Sequence, residues 1–438
     1  MIPQEVQAVL RTLEQAGHEA YVVGGCVRDM QMGLPPHDWD VTTSALPEET
    51  MALFPYFAIP TGLQHGTVTV RSGGVSCEVT TFRTDGDYPD HRHPAAVTFT
   101  RSLREDLARR DLTVNAMAMD TAGALHDPFG GREDIRRRVL RCVGDPERRF
   151  REDALRILRT LRFSATLGFA IEPETHRALR TQCGDLRYVA AERVREELTK
   201  LLCGQDAGRV LEEDPQVLGV VLPEILPCVG FDQHNRHHCY DVWGHTAHAV
   251  AAAPPDPILR WAMLLHDLGK PQCFTLDEQG VGHFHGHHRP SAEMAEEICR
   301  RLRFDKAAAQ RICLLVRYHD RPIPLTERAI RRAMNHLGVD GLRQLCAVKR
   351  ADNLAQHPDY CGRQQEIDRG EAIMEELLAK DACFSLKQLA VNGQDMMVLG
   401  LQGPAIGKML QALLDAVMDG VVENERNALL SLAQKMKN

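Results

Sequence analysis

Gly24 and Gly25, followed after a short interval by Asp38-Trp39-Asp40, place a cradle for phosphate next to a carboxylate pair able to hold a hard cation. Tyr21-Val22-Val23 is a β-branched and aromatic run, so the glycines make a tight strand exit whose bare backbone admits anionic groups. Val27 to Met32 reads as one short helix. Its N-terminal amides and Arg28 favour phosphate oxygens, and Gly33 ends it before the Pro35-Pro36 turn. Asp38 to Thr42 reads as a second strand, in which residues two apart face the same way and both carboxylates converge on one point. Two oxygen ligands beside such a cradle suit Mg²⁺ and an in-line displacement at a triphosphate. Taken singly, each half is better explained as a glycine turn or a solvated Asp-x-Asp loop; the ordered pair is not.

The elements around this pair alternate short β-type runs with turns from Val68 to about Asp120: Thr67 to Val70, Cys77 to Phe82 and Val97 to Phe99. With flanking helices they predict an α+β core built on a mixed sheet. Glu78 lies in a run able to sit beside Asp38 and Asp40, as a third carboxylate or as an ordinary edge-strand residue. Arg83 to Pro94 is polar and aperiodic and reads as a mobile loop.

At 438 residues with 44% apolar content, the chain predicts several globular domains. Its 13 cysteines form no Cys-x-x-Cys pair, which fits reduced thiols in a cytoplasmic protein. No apolar run of spanning length occurs, so no membrane partner is expected. The net charge of -8 argues against a broad nucleic-acid surface, yet residues 101 to 162 hold 15 Arg and no Lys against 11 Asp plus Glu. That patch fits local docking of an RNA end, although Arg136-Arg137-Arg138 alone reads as a solvated helix face.

The Gly-Gly and Asp-x-Asp set resembles the active-site signature of the nucleotidyltransferase superfamily, in the version carried by tRNA nucleotidyltransferases (CCA-adding enzymes) and bacterial poly(A) polymerases. Arg109-Arg110-Asp111-Leu-Thr-Val-Asn115 resembles the family's second motif, which implies that the arginines meet the triphosphate while Asp111 and Asn115 address the ribose. Asp127-Pro128-Phe129-Gly130-Gly131 is similar to a family hinge element. Arg151-Glu152-Asp153-Ala-Leu-Arg156-Ile-Leu-Arg159 reads as the start of one amphipathic helix, with Ala154, Leu158, Leu161 and Ala165 along one stripe. Intrahelical ion pairs explain its charges when it is read alone. The Glu-Asp-x-x-Arg resemblance implies instead that Asp153 and Arg156 read the Watson-Crick edge of the incoming base, with Arg159 beside them. Ala191 to Leu198 resembles the last motif, whose Glu192, Arg193 and Glu196 would buttress that helix.

Residues 231 to 320 hold 11 of the 20 histidines. His245, His266-Asp267, His287, His319 and Asp352 resemble the ligand series of HD-domain phosphohydrolases. This implies a divalent metal of unassigned identity (Mg, Mn, Ni, Co or Fe) that polarises a phosphoryl oxygen or activates water. His287 is chosen over His283, His285 and His288 by its place in that pattern. Pro257 to Leu265 and Ser291 to Leu302 are helical by period, as are Gln364 to Leu378 and Ala405 to Val417.

The resulting expectation is a nucleotidyltransferase head (1–145), a helical neck with the base-selecting helix (146–230), an all-helical HD domain (231–355) and a helical C-terminal region (356–438). The resemblance implies a class II tRNA nucleotidyltransferase that adds C, C and A to the tRNA 3' end from CTP and ATP. Within the class, poly(A) synthesis or addition of only A or only CC remains open. From another class, the alternative is an HD phosphohydrolase with a regulatory nucleotide-binding head. Neither oligomeric state nor the role of residues 356–438 is legible.

Overall fold

A computed structural model describes residues 2–86, 97–236 and 239–437. The chain divides into two compact units, Met1–Leu226 and Pro227–Asn438.

The first unit is built on a seven-stranded mixed sheet. Its spatial order is Ala58–Gly62, Thr67–Ser72, Val75–Thr81, Trp39–Thr43, Ala20–Val23, Ala118–Met119 and Leu125–His126. Trp39–Thr43 runs parallel to Val75–Thr81 and pairs Asp40 with Glu78, which puts the two side chains on one face. Val22, Val41, Val70, Val79 and Phe82 are buried in its core. At roughly 1.5–3 kcal/mol for each such side chain removed from water, that core fixes which face the carboxylates occupy.

Arg83–Asp85 is a strand paired with Val97–Phe99, so the polar loop expected from Arg83 is strand at its start. Tyr88, Asp90, His91, Arg92, His93 and Pro94 of that loop lie outside the described residues. Asp127, expected in a hinge, forms a helix cap: its carboxylate accepts from the Gly131 and Arg132 amides at 2.7 and 2.9 Å. Gly131 is also wedged against the chain, since a Cβ there would meet the Thr113 carbonyl oxygen at 2.2 Å.

The helical segment expected to start at Arg151 is two helices, Pro146–Glu152 and Leu155–Leu167. Asp153 between them is extended, with φ -140° and ψ 105°. Its carboxylate accepts from the Leu155 amide at 3.0 Å, so the side chain caps the second helix in place of continuing the first. Leu158, Leu161 and Ala165 are fully buried, and Leu155–Leu167 packs on Ala191–Leu202.

The second unit is helical, with short strand pairs. Val242–Ala252, Pro257–Leu265, His288–Arg301, Lys306–Tyr318 and Val339–Leu354 pack around Trp261, whose ring meets Phe304 edge-on at 5.1 Å. Further on, Gly393–Val398, Pro404–Met418 and Arg426–Lys437 share a core of their own containing Met396, Leu413, Leu414 and Leu429. No helix among the described residues is long and apolar enough to cross a membrane, and the described cysteines carry free thiols.

Candidate nucleotide cleft and metal centre

In the first unit a cleft of about 510 Å³ is lined by Gly24, Gly25, Arg28, Asp38, Asp40, Arg109, Arg110, Asp111, Asn115, Asp153, Arg156 and Arg159. These are the residues the sequence singled out for metal and nucleotide. Gly24 sits at φ +80°, and a Cβ there would lie 3.0 Å from Arg110 Nη1 and 3.8 Å from Asp40 Oδ2. Glycine is therefore required both by the backbone and by the close approach of charged groups. Helix Gly25–Gln31 follows directly, and Gly33, at φ +73°, closes its far end.

Asp38 is exposed just before its strand, while Asp40 is half-buried within it. Burial raises the Asp40 carboxyl above its ordinary range; the Arg110 guanidinium opposes this, and the neighbouring Glu78 and Asp38 carboxylates add to it. Three carboxylates set this close favour a cation. Their oxygen-only donor set fits a hard divalent ion. Arg110 is held by Asp106 at 3.6 Å, and its Nε has no hydrogen-bond partner among the described residues.

The second motif does more holding than expected. Asp111 accepts from the Leu112 amide at 2.8 Å, from Asn115 at 3.2 Å and from Arg159 Nε and Nη2 at 2.8 and 2.7 Å. Its carboxylate thus holds Arg159 in place at the cleft wall. Although burial opposes it, Arg159 holds the Asp111 carboxyl well below the usual range. Asn115 in turn accepts from Arg28 at 2.8 Å.

Asp153 and Arg156 both face the cleft, but they do not pair with each other as a continuous helix would allow. Arg156 binds Glu152 at 2.7 Å and donates to the Arg149 and Arg109 carbonyls at 3.1 and 3.0 Å. Asp153 takes Arg193 at 3.2 Å. Arg193 thereby ties its helix to the residue that joins Pro146–Glu152 to Leu155–Leu167. Glu196 is exposed, and the buttress from the same helix is the buried Glu197, which accepts from Arg162 at 2.6 Å and lies 3.9 Å from Arg159. Glu192 is half-buried on the same helix.

The second unit gathers His245, His266, Asp267, His287, His319 and Asp352. Asp267 Oδ2 lies 3.5 and 3.2 Å from the Nε2 atoms of His245 and His266, and its Oδ1 lies 3.1 and 3.6 Å from those of His287 and His319. Asp352 approaches His245 at 3.0 Å and His266 at 3.8 Å. Each of the four Nδ1 atoms faces a backbone carbonyl, of Ala355, Met263, Phe284 and Val316 respectively, at 2.6–3.2 Å. Neutral imidazoles bonded to those carbonyls through Nδ1–H would turn their Nε2 lone pairs inward. His287 and His319 then face each other at 3.1 Å, and His245 and His266 at 3.4 Å, with acceptor against acceptor. A cation relieves both oppositions, so the donor set fits a metal, with Asp267 shared between two ligand groups. His283 pairs with Asp277 and stands apart from the cluster.

Residues 20–141 match the family model for the poly(A) polymerase head domain, 168–226 that for a probable RNA and SrmB-binding site of polymerase A, and 236–356 the HD domain. A curated CCA-adding enzyme of Geobacillus stearothermophilus is 38% identical over 437 residues, covering 97% of this chain and 95% of that one. The chain belongs to the CCA-adding enzyme family. A second CCA-adding enzyme, from Anoxybacillus flavithermus, is 34% identical over 443 residues, with 99% and 98% covered. The crystal structure of the Bacillus stearothermophilus CCA-adding enzyme in complex with CTP superposes with a TM-score of 0.74 at 33% identity, over 100% of this chain and 98% of that one. Members of this family and HD domains depend on divalent metals, and the imidazole and carboxylate cluster of the second unit has the arrangement to hold one.

Two cleft residues, and one buried beneath the cleft, escaped the sequence reading. Phe163 lines the cleft, and the guanidiniums of Arg28, Arg159 and Arg162 lie over its ring at 5.1, 5.6 and 3.7 Å. It gathers arginines from two separate motifs. Arg162 and Asp106 complete the frame; Asp106 is fully buried beneath Arg109 and Arg110 and accepts from the Thr42 hydroxyl at 3.0 Å. Helical spacing of Asp106 from Arg109 and Arg110 is the signal that would have found it.

Proposed function

We infer that the chain adds C, C and A to the 3' end of tRNA from CTP and ATP, without a nucleic-acid template and with release of pyrophosphate. The observation that supports this most is the single cleft uniting the carboxylates, Gly24, the arginines and Asp153 with Arg156. Asp38 and Asp40, with Glu78 alongside, would hold Mg²⁺. Bound there, the ion supplies Lewis acidity for the attacking hydroxyl and the leaving pyrophosphate. Gly24 and Gly25 leave room for the triphosphate, and Arg28, Arg109 and Arg110 neutralise and orient it. Asp153 and Arg156, each fixed by its own partner, offer acceptor and donor to the base edge; Asp111 positions Arg159 beside them. The terminal ribose oxygen bonds to the α-phosphorus as the bond to pyrophosphate breaks, a transfer governed by alignment. In this reading the head (1–145) and neck (146–230) carry the reaction in the cytoplasm, a compartment that the free thiols support. Replacing Asp38 and Asp40 with Ala abolishes incorporation into tRNA lacking its CCA end; retained incorporation refutes the assignment.

A second activity is favoured by the facing Nε2 pairs: metal-dependent hydrolysis of a phosphate ester at His245, His266, Asp267, His287, His319 and Asp352, with Mg, Mn, Ni, Co or Fe as the divalent ion. These residues would hold the ion, which when bound polarises the phosphoryl group and activates water.

A further inference from the structure

The imidazole and carboxylate cluster opens onto two cavities. A smaller one of about 220 Å³ includes Lys270, His285 and His287 in its wall, and a larger one measures about 410 Å³. His319, Asp320, Asp352, Gln356 and Arg363 line both, so the cavities adjoin around the ligand side chains. The larger falls within the size range of pockets that enclose small organic ligands. Away from the cluster an apolar flank is formed by the buried Ile330 and Leu342 with Ile323, Leu325 and Ile367, while Lys349, Asn353 and Glu366 also line the cavity.

Part of this wall comes from the C-terminal region. Helix Gln364–Ala379 packs on Glu327–Leu337 and Val339–Leu354 and brings Ile367 and Gly370 to the cavity, with Arg363 at its N-terminal end. Gly370 is buried, and a Cβ there would sit 3.5 Å from Leu325 Cδ2, so the absence of a side chain keeps this wall thin. On the opposite side Lys349 Nζ donates to the His319 and Arg321 carbonyls at 2.7 and 2.8 Å, which locks the turn that carries His319. Hydrolysing a bare phosphate anhydride or ester head requires only the cluster. A chamber with an apolar flank, joined to the cluster beside an arginine, implies a body attached to that head.

We propose that helix Gln364–Ala379 completes a ligand chamber for a small organic phosphate, with its phosphoryl head at the His/Asp cluster and Arg363 and its apolar body against Ile323, Leu325, Leu342 and Ile367. The assignment rests on the reading of the cluster as a metal site. It gives the start of the C-terminal region a role in ligand choice.

Phenylphosphonate and methylphosphonate share an uncleavable anionic head and differ in the body, and calorimetric titration of the Mn²⁺-loaded full chain compares them. Phenylphosphonate binds about tenfold or more tightly than methylphosphonate, as burial of an aromatic ring requires. Ile367→Trp fills the chamber and brings the ratio close to one without changing methylphosphonate affinity. Leu325→Ala, at a partly exposed position that tolerates truncation, lowers the ratio independently. Equal affinity for the two probes in the unaltered chain, or a ratio indifferent to both substitutions, overturns the proposal. Displacement of phenylphosphonate by tRNA but not by a nucleoside monophosphate also overturns it, by assigning the chamber to RNA. Chelation weakens both probes together; if it does not, the metal reading fails while a preserved ratio leaves the chamber standing.

Discussion

Asp40 and Asp267 are both partly or wholly buried carboxylates at the centre of a ligand set, yet their surroundings push them in opposite directions. Asp40 has carboxylates on either side and one arginine, and its carboxyl is raised. Asp267, against its burial, is drawn well below the ordinary range by His266, Lys270 and His287. The first carboxylate lacks a close cation apart from Arg110 until a metal arrives; the second is already surrounded by imidazoles and by the Lys270 ammonium at 2.7 Å. An exchangeable ion suits the former, a retained one the latter.

The widest separation of the two sites comes from Asp267→Asn. Metal retained through gel filtration, measured by plasma mass spectrometry, falls to background, while CTP incorporation into tRNA stays within about twofold because no residue of the nucleotide cleft is touched. A joint loss would show that the sites are not independent. Next in size is Arg156→Lys, which keeps the charge but gives up the planar fork that bridges Glu152 and two carbonyls. kcat/KM for CTP and ATP falls about 10²-fold and the preference between them relaxes, as read by single-nucleotide competition.

The smallest effect concerns Asp111. Its folded carboxyl lies below the unfolded value of about 3.9, so its pairing with Arg159 contributes stability that is present above that pH and lost as pH falls through the folded value. Asp111→Asn lowers resistance to urea by about 3 kcal/mol near pH 7, and the gap between variant and parent narrows on acidification toward pH 2. A gap independent of pH contradicts the pairing.

The two sites also differ in how much of them the sequence disclosed. Asp40 was legible because strand alternation sets its face, although the strand begins at Trp39 and Asp38 precedes it, and the HD ligands because type and order sufficed. The break at Asp153 was not. Apolar positions of Pro146–Glu152 and Leu155–Leu167 stay nearly in phase across it, so periodicity runs on while a side chain caps the backbone. The choice between Glu196 and Glu197 turned on which of two adjacent carboxylates faced inward, which depends on packing against Leu155–Leu167. Phe163 carries no charge and looks like one more apolar helix position; only the folded chain shows three guanidiniums around it. The role of Gln364–Ala379 was hidden for a like reason, since a cavity wall leaves no motif.

The most direct test is single-nucleotide-resolution analysis of tRNA lacking its CCA end after incubation with the full chain, Mg²⁺, and CTP and ATP together or singly. The account predicts two C additions with CTP alone, one further A when ATP is present, and then arrest. A lengthening A tail, or phosphate release with no extension, would contradict it.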